Sequence, residues 1–335
     1  MTDDMEQFGL APETTSESSE WSGVAADSRL LKKWNKAKKK KGLGQPLAPE
    51  ERNPSMIFLL SSPRSGSTLL RAMLAGHPAL FSPPELHLLT FYSMKQSKKI
   101  FNNSYFGKGL QRAFMELKQI SAEESTQHVA ALTEQETPIY KVYRELQSLC
   151  APRTLVDKSP SYSVEMDTLL HAEAVFNQAK YVHLVRHPYA VIESFVRTGL
   201  LGGQLLDARA YIEQVWAQGN TNLLEFFAGI EPERKHVLRY EDLVSAPEPV
   251  MRKLCDFLQI PFDEALLKPY EGKRMLEGAD PNSLALGDPN FLSHDKIEAN
   301  LGEAWRRITL DRPLGETSVR VAKLFGYELP REENL

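Results

Sequence analysis

The sequence predicts an α/β fold with a central parallel sheet and helices on both of its faces. From residue 56 onwards, short apolar runs bounded by polar residues alternate with longer amphipathic stretches. Short runs of this kind are typical of buried strands, and strands that alternate with helices pair in parallel. One run also leads into a turn rich in hydroxyl groups that opens a helix at once, an arrangement typical of anion-binding α/β proteins.

The individual elements follow from the same patterns. Met56–Leu60 is predicted as a buried strand, and Ser67–Ala75 as the next helix because its apolar residues share one face. Residues 110–150 are predicted to be mostly helical, and residues 270–295, rich in Gly, Pro, Asn and Asp, to form a loop. Three further runs are predicted as strands, each followed by a helical stretch: Thr154–Val156, Tyr181–Val185 and His236–Leu238.

The first 55 residues differ in charge pattern from the rest of the chain. Residues 1–27 carry seven acidic side chains and no Lys or Arg, whereas residues 28–41 carry eight basic side chains and no acid. Such segregation favours a flexible linker with a solvated basic segment, and docking of that segment on a partner domain stays open. The predicted division is a linker over residues 1–55 and one domain over residues 56–335.

Bulk composition excludes several classes of protein. The net charge of −4 argues against a protein that coats nucleic acid, although a local basic pocket is compatible with it. Two distant cysteines, Cys150 and Cys255, exclude a disulfide framework and a cysteine zinc site, and favour a reducing, cytoplasmic setting. No apolar run is long enough to span a bilayer, and the N-terminus has no apolar signal region.

The strand–turn–helix at residues 57–70 is the first motif that carries chemistry. Backbone N–H groups and the helix N-terminus converge there on one spot, which suits a cluster of anionic oxygens. Gly66 permits close approach of the backbone, and Arg64 supplies a permanent cation with a planar fork of donors. Three hydroxyls add donors, from Ser65, Ser67 and Thr68. The loop therefore predicts a P-loop-like sheet with a phosphate or sulfate site.

A nucleoside triphosphatase loop would need the pattern G-x-x-x-x-G-K-[ST]. This loop has one glycine and no Lys after it. A small-molecule kinase with an unusual loop is therefore a weaker alternative, as is a catalytically silent nucleotide-binding domain. A plain strand–helix turn capped by a hydroxyl would not need an Arg, a Gly and three hydroxyls in five residues.

The second motif is the segment from Tyr181 to Ser194. An apolar strand delivers Arg186 at its carboxyl end, and Pro188 opens a helix, where its missing N–H costs nothing. Ser194 lies eight residues after Arg186, about two helical turns on, so both side chains can face one phosphate. Taken singly, a surface ion pair for Arg186 and a neutral helix position for Ser194 would also fit.

Together the two motifs resemble those of the PAPS-dependent sulfotransferases (PAPS is 3′-phosphoadenosine-5′-phosphosulfate), over roughly residues 56–330. The resemblance implies that the loop from Arg64 to Leu69 binds the 5′-phosphosulfate, and that Arg186 and Ser194 bind the 3′-phosphate. It also implies that PAPS is the co-substrate and that no metal is needed.

Two further nucleotide contacts are implied by the same resemblance. Tyr240, in the segment His236–Leu243, matches the family's strand and turn whose Tyr approaches the adenosine. Lys296, ahead of Gly302-Glu-Ala-Trp305, falls near the place of the family's basic closing loop, although the spacing is loose and a solvated surface Lys also explains it.

On the acceptor side, the segment after the first helix carries two groups that can accept a proton. In the tyrosylprotein branch of the family, a Glu matching Glu85 is the base, and His87 is the competing base two residues away. Arg64 is assigned to clamp the leaving phosphate, and Lys158, after a predicted strand, to contact the sulfonate or the acceptor. The alternative for Glu85 is a helix N-terminus after Pro83 and Pro84, where an acid is favoured.

The run Pro63–Leu89, and especially Ser82–Leu89, is most similar to the sulfotransferase domains of modular polyketide and olefin synthases, of the curacin type. That resemblance implies transfer to the β-hydroxyl of an acyl chain on an acyl carrier protein, activating it for later decarboxylative elimination at a neighbouring thioesterase domain. It also implies an active-site flap after Leu89, for which Tyr92–Gly109 is the candidate loop. A stand-alone enzyme for a small hydroxylated metabolite stays open. Four lysines of that loop fit an acidic carrier protein or plain solvation: Lys95, Lys98, Lys99 and Lys108.

Overall fold

The computed structural model describes residues 47–101, 108–199, 207–272, 274–275 and 291–330. Its centre is a five-stranded parallel sheet with the strand order β2–β3–β1–β4–β5. The strands are β1 (Ile57–Leu60), β2 (Leu80–Phe81), β3 (Thr154–Lys158), β4 (Lys180–Val185) and β5 (Lys235–Arg239). The predicted parallel sheet is thus confirmed. Sequence patterns missed β2, because two residues are too few to show a period.

The helices account for most of the remaining described chain. They are α1 (Ser67–Leu74), α2 (Met94–Phe101), α3 (Lys108–Lys118), α4 (Ala122–Glu134), α5 (Ile139–Cys150), α6 (Met166–Val175), α7 (Pro188–Thr198), α8 (Ala208–Ala228), α9 (Tyr240–Ser245), α10 (Pro247–Leu258) and α11 (Glu316–Leu324). The sequence analysis predicted α1 nearly to the residue, and α3 to α5 fill the region predicted as helical. In the described part of the chain, no helix is long and apolar enough to cross a membrane.

Both faces of the sheet are covered, as the sequence predicts. Phe58 and Leu60 of β1 pack into one apolar core together with residues of α5, α6 and α8. Ile57 and Leu59, which alternate with them, pack into a second core with α1 and α10. Because successive side chains of a strand point to opposite faces, a fully buried β1 requires helices on both sides.

The segment Tyr92–Gly109 is not a simple loop, and that expectation needs correction. It contains α2 over Met94–Phe101, and α3 begins at Lys108. Met94 and Ser97 are buried while the lysines between and after them are exposed, which is the three-residue spacing of a short amphipathic helix. Residues 102–107 of the candidate flap lie outside the described residues.

The domain's contacts begin before the predicted boundary at residue 56. Asn53 is fully buried, and its backbone N–H donates to the carbonyl of Val175 at 2.8 Å. The backbone N–H of Leu47 donates to the carbonyl of Ala174 at 3.3 Å. Residues 1–46, which include the predicted acidic and basic segments, and residues 276–290 of the predicted late loop lie outside the described residues.

Candidate active site

The loop between β1 and α1 turns sharply at two residues with left-handed backbone conformation. Arg64 has φ of 67° and Gly66 has φ of 85°. A Cβ on Gly66 would lie 2.3 Å from Cδ2 of Tyr240, so a side chain there would collide with the aromatic ring. Glycine is therefore required at this position by both backbone conformation and space.

The two sequence motifs meet at this loop. The Arg64 guanidinium donates to Oγ of Ser194 from Nε at 3.1 Å and from Nη2 at 3.0 Å. Nη1 of Arg186 donates to the carbonyl of Arg64 at 2.9 Å, and its guanidinium lies 4.4 Å from the ring centroid of Tyr240. Segments far apart in sequence thus place two cations and a hydroxyl around one spot, because β1 and β4 are neighbours and end at the same edge.

A cavity of about 320 Å³ opens at this spot and is called the loop cavity. Six residues singled out by the sequence line it: Gly66, Thr68, Leu69, Arg186, Ser194 and Tyr240. Ser65 and Ser67 are buried and are not among the lining residues, and the Ser65 hydroxyl hydrogen-bonds that of Ser62 at 2.8 Å. Lys296 is exposed, and the adjacent Ile297 and Glu298 line the cavity in its place.

Sequence reasoning missed several residues of the loop cavity. Arg197 lines it and follows Ser194 by three residues, which is one helical turn, so helical spacing was a usable signal. Tyr270 and Phe291 also line it, with stacked rings whose centroids are 4.6 Å apart. These two aromatic side chains come from irregular segments, and no local pattern in the sequence connects them.

A second group of side chains, called the Glu85 cluster, consists of Glu85, His87 and Lys158. Oε2 of Glu85 lies 2.8 Å from Nε2 of His87, and Oε1 accepts a hydrogen bond from Nζ of Lys158. Lys158 is almost fully buried, whereas the Glu85 side chain is 20% exposed. The Glu85 carboxylate therefore contacts a buried cation and is itself partly exposed to solvent.

The Glu85 cluster adjoins the loop cavity through Lys158. Nζ of Lys158 is 3.5 Å from Oγ1 of Thr68, a residue that lines the loop cavity. Arg64, Glu85, Lys158 and Arg186 lie at or just after the carboxyl ends of four strands of the sheet. Arg64, Lys158 and Arg186 belong to the ends of β1, β3 and β4, and Glu85 follows β2, which pairs with β3. All four strands are parallel, so their carboxyl ends meet at the same edge of the sheet.

Glu85 lies in an extended loop after β2, and no helix begins there. The helix N-terminus considered as an alternative reason for an acid at this position is therefore wrong. Instead, the first turn of α3 packs against this loop. A Cβ on Gly109 would lie 1.9 Å from the carbonyl oxygen of Glu85, so a glycine is what lets α3 approach the backbone.

Charges around Glu85 keep it ionised. Burial by itself raises the pKa of Glu85, but the Lys158 ammonium and the hydrogen bond from His87 outweigh burial and hold the pKa well below its usual range. Glu85 is therefore a carboxylate throughout the physiological pH range and can only accept hydrogen bonds.

The loop after β3 is anchored by a buried carboxylate. Asp157 accepts hydrogen bonds from the hydroxyls of Tyr143 at 2.5 Å, Ser159 at 2.8 Å and Tyr162 at 2.9 Å. Burial raises the pKa of Asp157, and burial beside this carboxylate raises the pKa values of both tyrosines. These contacts hold the backbone on both sides of Lys158 in one conformation.

The loop cavity and the Glu85 cluster place cationic groups beside an ionised carboxylate, and comparison with known proteins gives the class of protein. Residues 54–264 match the sulfotransferase family, which is more than half of the chain. The chain belongs to the sulfotransferase family, and it is a transferase enzyme.

Two solved structures are similar over the whole of their length. The sulfotransferase domain from the curacin biosynthetic pathway is 51% identical, with a TM-score of 0.78, over 83% of this chain and 100% of that one. The sulfotransferase domain from the Synechococcus PCC 7002 olefin synthase is 45% identical, with a TM-score of 0.79, over 85% and 100%. The polyketide-type resemblance inferred from residues 82–89 is thereby confirmed.

More distant relatives are longer proteins. Nodulation protein NoeE from Sinorhizobium fredii is 30% identical over 299 residues, which are 82% of this chain and 66% of that protein. Protein-tyrosine sulfotransferase from Drosophila melanogaster is 26% identical over 261 residues, 78% of this chain and 46% of that protein. The chain thus spans between about half and two thirds of these two relatives.

Proposed function

We propose that this sulfotransferase moves a sulfonate from PAPS to the β-hydroxyl of an acyl chain held on an acyl carrier protein. Glu85 is the base in this proposal. The single observation that carries it is the position of an ionised, partly open Glu85 next to a cationic loop cavity, with Lys158 joining the two.

The residues of the loop cavity fit a nucleotide with two anionic ends. In this proposal Arg186 and Ser194 bind the 3′-phosphate, and Arg197 lines the same cavity. The stacked Tyr270 and Phe291 and the ring of Tyr240 offer flat apolar surfaces for a base. The loop N–H groups and Thr68 face the 5′ end.

The reaction is a displacement at sulfur in which a new oxygen–sulfur bond forms as the bond to the nucleotide phosphate breaks. Glu85 takes the hydroxyl proton of the acceptor, and the phosphate leaves with the bonding electrons. Arg64 and the loop N–H groups stabilise the negative charge that develops on that phosphate. Lys158 stabilises the negative charge of the sulfonate. A base in this position contributes about 10²–10⁴-fold in rate.

The acyl carrier protein enters through the similarity to domains of the curacin pathway and of an olefin synthase. Those proteins supply the precedent, and the exposed lysines Lys98 and Lys99 of α2 offer cations that an acidic carrier protein could contact. Lys95 is also exposed but pairs with Glu136. A neighbouring thioesterase would then use the sulfate as a leaving group.

The test is transfer of labelled sulfonate from PAPS to a β-hydroxyacyl carrier protein, read from the mass of the intact carrier. We expect a gain of one sulfonate with the native chain and loss of about 10²–10⁴-fold in rate with Glu85→Gln. The matched control is Glu248→Gln, which removes a carboxylate from an exposed i,i+4 ion pair with Arg252.

The outcomes separate the parts of the proposal. Transfer to free alcohols but not to the carrier would replace the acceptor and leave the sulfotransferase chemistry and its base in place. Full activity of Glu85→Gln would remove Glu85 as base. Absence of PAPS binding would overturn the proposal as a whole.

A further inference from the structure

The His87 ring is held from both sides by hydrogen bonds. Nε2 lies 2.8 Å from Oε2 of Glu85, and Nδ1 lies 2.9 Å from Oγ of Ser161. The His87 side chain is 4% exposed, so solvent has little access to either ring nitrogen. The ring therefore connects Ser161, in the short 3₁₀ helix Pro160–Val164, to the candidate base.

These partners determine which ring nitrogen carries the proton. Glu85 is ionised and has no proton to give, so Nε2 of His87 must be the donor in their hydrogen bond. In a neutral imidazole Nδ1 then carries the lone pair, and that lone pair faces Ser161. In that tautomer the Ser161 hydroxyl is the donor to Nδ1.

The His87 backbone is held by the same loop. His87 has φ of 50°, a left-handed conformation that is uncommon for residues other than glycine. Its N–H donates to Oγ of Ser159 at 3.0 Å, and the Ser159 hydroxyl in turn donates to the buried Asp157 at 2.8 Å. The loop after β3 thus supports His87 at its backbone and at its ring, which accounts for the maintenance of a costly conformation.

We propose that Ser161 is a positioning residue, which keeps His87 protonated on Nε2 and aimed at Glu85. His87 then acts through Glu85 as a hydrogen-bond donor and does not take the acceptor proton itself. This inference rests on the proposed function, and it gives the two candidate bases different roles. Glu85 accepts the proton of the acceptor, and His87 orients the Glu85 carboxylate.

The tautomer is measured directly by nitrogen-15 NMR of the full chain labelled at histidine, with PAP (3′-phosphoadenosine-5′-phosphate) bound. The His87 signals are assigned by their disappearance in His87→Gln. We expect a protonated Nε2 and an unprotonated, hydrogen-bonded Nδ1 in the native chain. A proton on Nδ1 with a bare Nε2 would overturn the proposal, whether or not the chain transfers sulfonate.

Kinetics of Ser161 variants supply the second readout. Ser161→Ala is expected to lower kcat about fivefold to tenfold, with the affinity for PAP unchanged, since one hydrogen bond that orients the ring is lost. Ser161→Thr keeps the hydroxyl and is expected to retain the native kcat. Ser55→Ala is the matched control, because it removes a serine hydroxyl that donates only to the exposed carbonyl of Gln178.

Replacement of His87 distinguishes a donor from a base. Gln carries an N–H at the place of Nε2 but cannot accept a proton at neutral pH, and a left-handed φ is also present at Gln119 and Gln178. We expect His87→Gln to keep kcat within about tenfold of native and His87→Ala to lose about 10²-fold. Equal loss in both variants, or an unchanged rate in Ser161→Ala, would overturn the inference while leaving Glu85→Gln to judge the proposed function.

Discussion

The loop cavity and the Glu85 cluster meet at Lys158, yet they are built in different ways. Gly66, Arg186 and Ser194 line the loop cavity, and Arg64 contacts Ser194. These residues belong to two strand–loop–helix motifs, and each motif is continuous in sequence. The Glu85 cluster joins a loop after β2 to the end of β3, with four described helices inserted between the two strands. One region is local in sequence and the other depends on tertiary packing.

Single substitutions in the two regions are expected to change different kinetic quantities. Groups of the loop cavity contact one another directly, as Arg64 does with Ser194, so single substitutions there act on nucleotide affinity. Glu85 is held by neighbours that do not line the loop cavity, such as Gly109. We therefore expect substitutions around Glu85 to lower kcat while the affinity for PAP stays unchanged.

After Glu85→Gln, the largest effect is expected from Lys158→Met, because Lys158 contacts both Glu85 and Thr68 of the loop cavity. Loss of the buried cation should lower kcat about 10²–10³-fold. Lys158 also helps to hold the pKa of Glu85 below its ordinary value, so its removal raises that pKa. Activity is lost as Glu85 becomes protonated, so the acid limb of the pH–rate profile should move to higher pH in the variant. An acid limb at the same pH as in the native chain would show that Lys158 does not control the pKa of Glu85.

Arg186→Ala should weaken binding of PAP about 30- to 100-fold, since it removes a partly buried cation from the loop cavity. Isothermal titration calorimetry gives the dissociation constant. Glu85→Gln in the same assay should bind PAP as the native chain does. An equal loss of affinity in both variants would show that the two regions are not separable.

Gly109→Ala should lower kcat about tenfold, because the added Cβ displaces the Glu85 backbone from its place. Gly229→Ala is the matched control, since its Cβ would meet only the carbonyl of Phe226 at 3.7 Å. A double-mutant cycle with Glu85→Gln sharpens the test: Gly109→Ala should cost almost nothing further once Glu85 has lost its function. Additive losses would assign Gly109 a role apart from Glu85.

The smallest effect is expected from Lys296→Ala, at less than about twofold in the affinity for PAP, because an exposed Lys in water contributes little. Arg197→Ala, at a residue that lines the loop cavity, should have the larger effect of the two. A larger loss of affinity in Lys296→Ala than in Arg197→Ala would support the basic closing loop that the family resemblance implies at Lys296.

Much of the loop cavity was predictable because many of its residues come from short, continuous segments of the sequence. An apolar strand, a glycine and a helix start together imply an anion site, and the spacing of Arg186 and Ser194 implies a shared helix face. The aromatic wall of Tyr270 and Phe291 was not predictable, since two stacked rings from irregular segments leave no period in the sequence. Lys296 stays a prediction: its side chain is exposed, and its neighbours Ile297 and Glu298 line the loop cavity.

The sequence by itself determined the α/β class, four of the five strands, and the two motifs that indicate an anion site, because strand and helix periods and turn chemistry are local. Only the tertiary structure decided that Lys158 joins Glu85 to Thr68, that Gly109 lies against Glu85, and that Ser161 faces His87. Those contacts depend on the packing of a helical insertion between β2 and β3, and distances between such segments are set by packing rather than by sequence spacing.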